Sequence, residues 1–279
     1  MRKFSFLLLM LFVSLTLKAQ TTILSEGFET PPYEFVSSEM GGVPHWVEND
    51  TYYFTGTKSI HGAVPQAGII NLTSPKFAKG EHTKVYLRFK HICKIDPTDH
   101  GLVRYIINDG TPLSLPSSPE VYFRPSSGGY SINGRFSSAS YSEWNSAELT
   151  AQPTNSWWKE EIFDITSLFE NDTDTMQIQF RIQKLGVGTE EAYGWLIDDI
   201  EIIGGTGEIF PPSITLMPTV QQDTVFGVGP WTVNAKITDE SGVASADIFY
   251  RHTPPNGTPS AWTESPMTVI NDSLFKFEL

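Results

Sequence analysis

Thr175-Met176-Gln177-Ile178-Gln179-Phe180-Arg181-Ile182-Gln183 alternates apolar and polar side chains without a break. Successive side chains of a strand point to opposite faces, so Met176, Ile178, Phe180 and Ile182 share one face and the polar residues take the other. That is the signature of a half-buried strand. Residues 84–92 alternate as well, with Val85, Leu87 and Phe89 on one side and Tyr86, Arg88 and Lys90 on the other. Further strand candidates cover residues 23–28, 69–72, 102–107, 121–124, 158–163 and 194–203, and one helical turn is expected at 165–169. Glycines and prolines punctuate the chain closely and no long helical period appears. Many short strands separated by turn signals predict an all-β sandwich.

The first unit closes at Gly204-Gly205-Thr206-Gly207, and Pro211-Pro212 stiffens the way into the next. Strand patterns resume at 213–216, 231–237 and 246–251, with Asp239-Glu240-Ser241-Gly242 as a turn between the last two. This second pattern reads as an immunoglobulin-like sandwich. Only about 70 residues remain for it, against the roughly 100 such a sandwich takes, so residues 213–279 are expected to be a truncated part of a longer polypeptide. Residues 20–205 form the first domain in this reading and 206–212 the linker.

Residues 1–19 read as a signal peptide. Arg2 and Lys3 give a short positive start, residues 4–17 are almost unbroken apolar sequence, and Leu17-Lys18-Ala19-Gln20 offers a small residue for cleavage after Ala19. The apolar run is too short for a membrane anchor, which needs roughly 20 residues. No cysteine lies near the cut for lipid attachment, and nothing downstream is long and apolar enough to span a bilayer, so the mature chain is expected outside the inner membrane, secreted or on the cell surface. Losing the leader's three positive side chains (Arg2, Lys3, Lys18) takes the formal charge from −13 to −16. So acidic a chain lacks the basic footprint that nucleic acid requires. Cys93 is the only cysteine, so no disulfide holds the domain; in an apolar strand it reads as a small buried hydrophobe and not a nucleophile.

Asp198 and Asp199, within Gly194-Trp195-Leu196-Ile197-Asp198-Asp199-Ile200-Glu201-Ile202, are the first candidate site. By parity Asp198 shares a face with Leu196, Ile200 and Ile202, and Asp199 shares one with Trp195 and Ile197. An ionised carboxylate among such neighbours needs a cation, strong donors or solvent. Calcium suits hard oxygen ligands; the alternative is a pair of aspartates capping a turn or meeting Arg181. Glu160-Glu161 and Glu190-Glu191 each split across two faces if extended, and a solvated loop or edge is the expectation for both. The histidines (His45, His61, His82, His91, His100, His252) form no zinc spacing. There is no Gly-x-Ser-x-Gly elbow, phosphate loop or dinucleotide fingerprint. Glycosylation sequons begin at Asn49, Asn71 and Asn171, among others, and a bacterial exporter does not ordinarily use them.

The opening Glu26-Gly27-Phe28-Glu29, the middle Gly56-Thr57-Lys58-Ser59 and Leu72-Thr73-Ser74-Pro75-Lys76-Phe77, and the closing Trp-x-Ile-Asp-Asp-Ile of residues 195–200 together resemble the MAM and cleaved-adhesin group of jelly-roll domains. That group includes the choice-of-anchor domains of secreted Bacteroidetes proteins. The likeness covers nearly all of residues 21–205, and Ile237-Thr238-Asp239-Glu240-Ser241-Gly242-Val243-Ala244-Ser245-Ala246 is similar to the Ig-like modules that follow such domains. Animal MAM domains carry disulfides and this chain cannot, which favours the bacterial branch. The resemblance implies a jelly-roll β-sandwich followed by a partial Ig-like one, with a structural calcium between the opening and closing strands. Glu26 or Glu29 would partner Asp198 and Asp199 there.

The second candidate site is aromatic. Tyr130, Phe136, Tyr141, Trp144, Trp157 and Trp158 lie in or beside a Gly/Ser-rich stretch, residues 126–156. Rings on loops can stack on sugars or anchor a protein partner, so Trp144, Trp157 and Tyr141 are the expected ligand-binding residues. The expected function is a non-catalytic binding or adhesion module for an extracellular glycan or protein. Its rivals are an accessory segment of a secreted hydrolase, a peptidase in this resemblance group, and a structural spacer.

Overall fold

A computed structural model describes residues 20–39, 46–64, 68–124, 129–185, 191–207, 209–210, 212–217, 232–239, 242–251, 258 and 260–278. The expected leader, the Trp231 strand start, His45, His252 and Glu190 lie outside the described residues. The chain divides into two compact units, Met1–Gly207 and Glu208–Leu279.

The first unit is an all-β antiparallel sandwich. Its strands are β1 (Thr21–Glu26), β2 (Val36–Glu39), β3 (Trp46–Asn49), β4 (Ser59–Gly62), β5 (Gly68–Thr73), β6 (Phe77–Ala78), β7 (Lys84–Lys94), β8 (His100–Ile107), β9 (Leu113–Ser114), β10 (Tyr122–Arg124), β11 (Lys159–Asp164), β12 (Thr175–Lys184) and β13 (Gly194–Gly205). One sheet runs β10-β11-β7-β13-β4-β3, with β1 also on β13; the other runs β2-β5-β12-β8-β9, with β6 also on β12. The alternation of β12 is realised as expected: Met176, Ile178, Phe180 and Ile182 are fully buried. Phe180 meets Phe89 of β7 at 4.9 Å and Trp195 of β13 at 5.8 Å between ring centroids, so these side chains join the two sheets. Gln179, on the polar side, is also buried, because Arg104 and Thr73 hydrogen-bond its amide. Cys93 is fully buried and burial pushes its thiol well up, which leaves it protonated.

The expected turn at 165–169 is present as a 3-10 turn over Thr166–Leu168. Three more single turns, Tyr130–Asn133, Ser142–Trp144 and Asn155–Trp157, fall in the Gly/Ser-rich stretch, where one turn is too short to leave a periodic signal. Among the described residues no helix is long and apolar enough to cross a membrane.

The second unit is likewise antiparallel. A sheet of β14 (Ser213–Met217), β15 (Thr232–Thr238), β19 (Leu274–Glu278) and β18 (Thr268–Asn271) accompanies the pair β16 (Asp247–Tyr250) and β17 (Thr263–Pro266). Ala235, Ile237 and Phe275 form its core.

Candidate functional site

β13 carries the Asp198-Asp199 pair at a change of neighbours. Along one edge it pairs with β7; along the other, β4 takes residues 195–197 and β1 takes residues 200–204. Between Asp198, opposite Lys90, and Glu201, opposite Arg88, the register slips, so Asp199 and Ile200 together face the single residue Phe89. This is a β-bulge, and Asp199 sits in it at φ 46°, a left-handed conformation that aspartate tolerates better than most residues. The simple parity expected for residues 194–202 therefore breaks after Asp198.

Asp198 is fully buried and fastens the loop of residues 54–55. Its Oδ2 accepts the Phe54 N–H at 2.7 Å and the Thr55 N–H at 3.3 Å, while Oδ1 accepts the Asp199 N–H at 2.7 Å. Burial pushes its carboxyl up to about 7 despite those donors. Asp199 Oδ1 accepts the Thr55 hydroxyl at 2.7 Å. Arg181 donates instead to Asn71 and Gln179 on the other sheet, which removes the alternative of an Arg181–Asp198 pair.

Glu26 and Glu29 take separate places. Glu26 is buried, its Oε1 accepting the Phe28 N–H at 2.7 Å and its Oε2 the Glu34 N–H at 2.6 Å. Glu29 accepts the Thr57 N–H, the Thr57 hydroxyl and the Lys58 N–H at 2.9–3.1 Å, and the Thr57 N–H leads in holding its carboxyl below the ordinary range. Gly56, at φ 61°, lies so close that a Cβ there would stand 2.2–2.7 Å from the Glu29 carboxylate, so a side chain at 56 would be strained in its backbone and would push Glu29 off its donors. Glu29, Asp198 and Asp199 thus all fasten residues 54–58, whereas Glu26 fastens the turn at 28–34. Calcium fits this end in donor type, through the oxygens of Glu29, Asp199, Thr55 and Thr57. It does not fit through Glu26 and Asp198, which are buried with both oxygens accepting backbone N–H groups. Glu29 also accepts backbone N–H groups at both oxygens, which an ion would have to displace, but it is exposed, and Asp199 is half-buried. Among the described residues no three acidic, His or Cys side chains gather as a metal-holding group.

Beside this loop the outer face of the sheet opens into a cleft of about 310 Å³, lined by Ser25, Gly27, Thr55, Asp199 and two cross-strand ion pairs. Arg88 of β7 lies opposite Glu201 of β13 and donates to it from both Nε, at 2.8 Å, and Nη2. Lys90 lies opposite Glu160 of β11 and pairs with it. Phe54 stands beside them, 45% exposed, with Lys90 Nζ 4.5 Å from its ring centre and Trp158 edge-on at 6.3 Å. The alternation of residues 84–92 had already put Arg88 and Lys90 on one face; nothing in the sequence singled out Phe54.

The aromatic site expected in the Gly/Ser-rich stretch is corrected at Trp144. Trp144 is fully buried: its Nε1 donates to the Trp157 carbonyl at 2.9 Å and its ring packs on Tyr141 and His91. It is core and offers no surface to a ligand. Trp157 and Tyr141 are half-buried on the edge of the same core, covered by the Lys94 and Lys159 ammonium groups. Tyr141 donates its hydroxyl to Glu161 Oε1 at 2.7 Å.

Glu161 also corrects the expectation of a solvated pair. It and His91 are both fully buried, His91 Nε2 lying 2.9 Å from Glu161 Oε1, and Tyr122 donates to Oε2 at 2.6 Å. The Trp195 indole N–H can only donate, so His91 Nδ1 accepts it, at 3.0 Å, and Nε2 carries the proton that goes to Glu161. The imidazole is therefore neutral, and burial drives its pKa down in agreement.

No protein-family model matches the chain, and no curated protein matches it. Among solved structures it is similar to the CBM22-1 xylan-binding domain of Paenibacillus barcinonensis Xyn10C, at 10% identity and TM-score 0.39 over 68% of this chain and 98% of that one. It is also similar to the K3 cleaved adhesin domain of Lys-gingipain from Porphyromonas gingivalis, at 15% identity and TM-score 0.33 over 66% and 100%. A third is the Endo-D glycoside hydrolase domain of Streptococcus pneumoniae, at 14% identity and TM-score 0.31 over 84% of this chain and 31% of that one. At this identity and superposition they identify neither a family nor a ligand.

Proposed function

We propose that the chain is a secreted or cell-surface recognition module that binds an extracellular glycan and does no chemistry on it. The observation that carries this reading is the division of polar groups across one sheet. The pair with acid–base potential, His91 and Glu161, is sealed from solvent, while the groups around the open cleft are ion-paired side chains on rigid strands. The second unit is read as Ig-like and as a carrier for the first. A calcium ion at Glu29 and Asp199 goes with this reading, where it would tie residues 54–58 to β13 and supply stability that a chain without disulfides otherwise lacks. The test is a glycan array and an extracellular-matrix protein panel probed with the mature chain, beside glycosidase, esterase and peptidase assays. Retention on glycans without turnover is expected. Turnover abolished by a single substitution, or retention on matrix proteins alone, would overturn it.

A further inference from the structure

We infer that the cleft on the seven-stranded sheet takes a neutral, hydroxyl-rich sugar unit, held between the Arg88–Glu201 and Lys90–Glu160 ion pairs and against the ring of Phe54. This rests on the glycan-binding reading and names the site and the ligand class for it.

Charge weighs against ionic ligands. The lining holds three carboxylates, Glu160, Glu201 and Asp199, against two cations, Arg88 and Lys90, and both cations are already paired. An acidic sugar would have to displace a glutamate from its partner and then lie beside the displaced charge. A basic peptide would have to displace an arginine or a lysine in the same way. A sugar hydroxyl both donates and accepts, so it can add to an ion pair from the side, donating to the carboxylate and accepting from the cation. The two pairs sit on neighbouring strands β11, β7 and β13, which spaces such contacts along one face.

Size and preorganisation agree. About 310 Å³ is at the small end of the roughly 300–1,000 Å³ of small-molecule sites, which suits a sugar unit better than a long peptide. Phe54 stands next to the lining residue Thr55 and does not itself line the cleft. Lys90 Nζ covers its ring at 4.5 Å, and the exposed part of the ring is the apolar surface offered to the C–H face of a sugar. Its backbone is fixed before any ligand arrives, because the Phe54 and Thr55 N–H groups are held by Asp198 and the Thr55 hydroxyl by Asp199. Two non-glycine residues with left-handed backbone, Phe28 at φ 57° and Asp199 at φ 46°, flank the cleft; strain of this kind collects at ligand clamps.

Affinity gel electrophoresis of the mature chain against xylan, mannan and β-glucan, with polygalacturonate and alginate as acidic counterparts, tests this. Retardation is expected on at least one neutral polymer and unchanged by 0.5 M salt, which would screen an ionic contact. Phe54→Ala, Glu201→Gln and Lys90→Met should each weaken it about tenfold or more while the melting temperature stays within a few degrees. Lys236→Met, on the second unit, should leave it unchanged. Retention on the acidic polymers only would overturn the ligand class and leave glycan binding standing. Neutral binding that survives all three cleft substitutions would overturn the site. Any cleft variant that melts early is set aside in favour of Phe54→Ser, at a side chain already half in water. No retention on any polysaccharide would overturn the inference together with the reading beneath it.

Discussion

Lys90 and Glu160 lie next to His91 and Glu161 in the chain, on the same two strands, and the two pairs live in opposite worlds. Lys90 and Glu160 face outward as an ion pair at the cleft, whereas His91 and Glu161 face inward and are fully buried. Both glutamates have a partner within hydrogen-bonding reach. The inner carboxylate has three donors, from His91, Tyr122 and Tyr141, and no water to fall back on. The outer one has water as an alternative to its lysine. A carboxylate's importance to stability is thus set by what replaces a lost partner, and its availability to a ligand by the same fact seen from the other side.

The sharpest way to break this comparison is Glu161→Ala. It strands three donors, two of them fully buried, and should cost about 3–5 kcal/mol in denaturant unfolding. Trp144→Ala should cost a similar amount, about 3–5 kcal/mol, through the cavity it leaves. A loss below about 1 kcal/mol in either would mean that this side of the sheet is not sealed.

Acidity gives the next effect. The Asp198 carboxyl is pushed up to about 7 in the folded chain from an ordinary 3.8, so between those values the folded state holds a proton that the unfolded state has released. Stability from this group is greatest at low pH and falls as pH rises from about 4 to about 7, by at most about 4 kcal/mol. Melting temperatures of the wild type and Asp198→Asn across that window should diverge in slope; superimposed profiles would refute the shift.

Calcium should act less strongly. An ion at Glu29 and Asp199 stabilises by mass action, about 2.7 kcal/mol at a hundredfold excess over its dissociation constant. Chelator should therefore lower the melting temperature, calcium should restore it, and Asp199→Asn should abolish the response. Identical curves with and without chelator would remove the ion. The smallest effect belongs to Glu160→Ala, which opens only a surface pair and should stay within about 1 kcal/mol.

Much of this frame was legible in the sequence, and the losses have physical causes. Alternation placed β7 and β12 and put Arg88 and Lys90 on one face, because a pleated strand has no freedom in where its side chains point. The split of Glu160 from Glu161 was equally legible, but which face is buried depends on what packs against it, and Tyr122, Tyr141 and Trp195 come from distant segments. Trp144 was misplaced because small flexible residues around a ring do not tell whether the loop folds back over the core. The bulge at Asp199 was hidden, since parity assumes an unbroken ladder. Phe54 went unmarked because it sits in an irregular loop whose course is set by carboxylates 144 residues away.

Thr21 of β1 lies opposite Gly204 of β13, so the polypeptide comes into and leaves the first sandwich side by side. Mechanically the unit hangs on the chain like a pendant. Tension between its two ends would meet the β1–β13 ladder one rung at a time, starting at Thr21 and running toward Glu26, while β7 keeps its grip on the far edge of β13. Peeling of this kind yields at lower force than shearing a whole ladder at once, which makes the domain a weak spring within any longer tether. Ser25 and Gly27, which line the cleft, lie where the peeling arrives last. A ligand held there would stay held through the first steps of a pull.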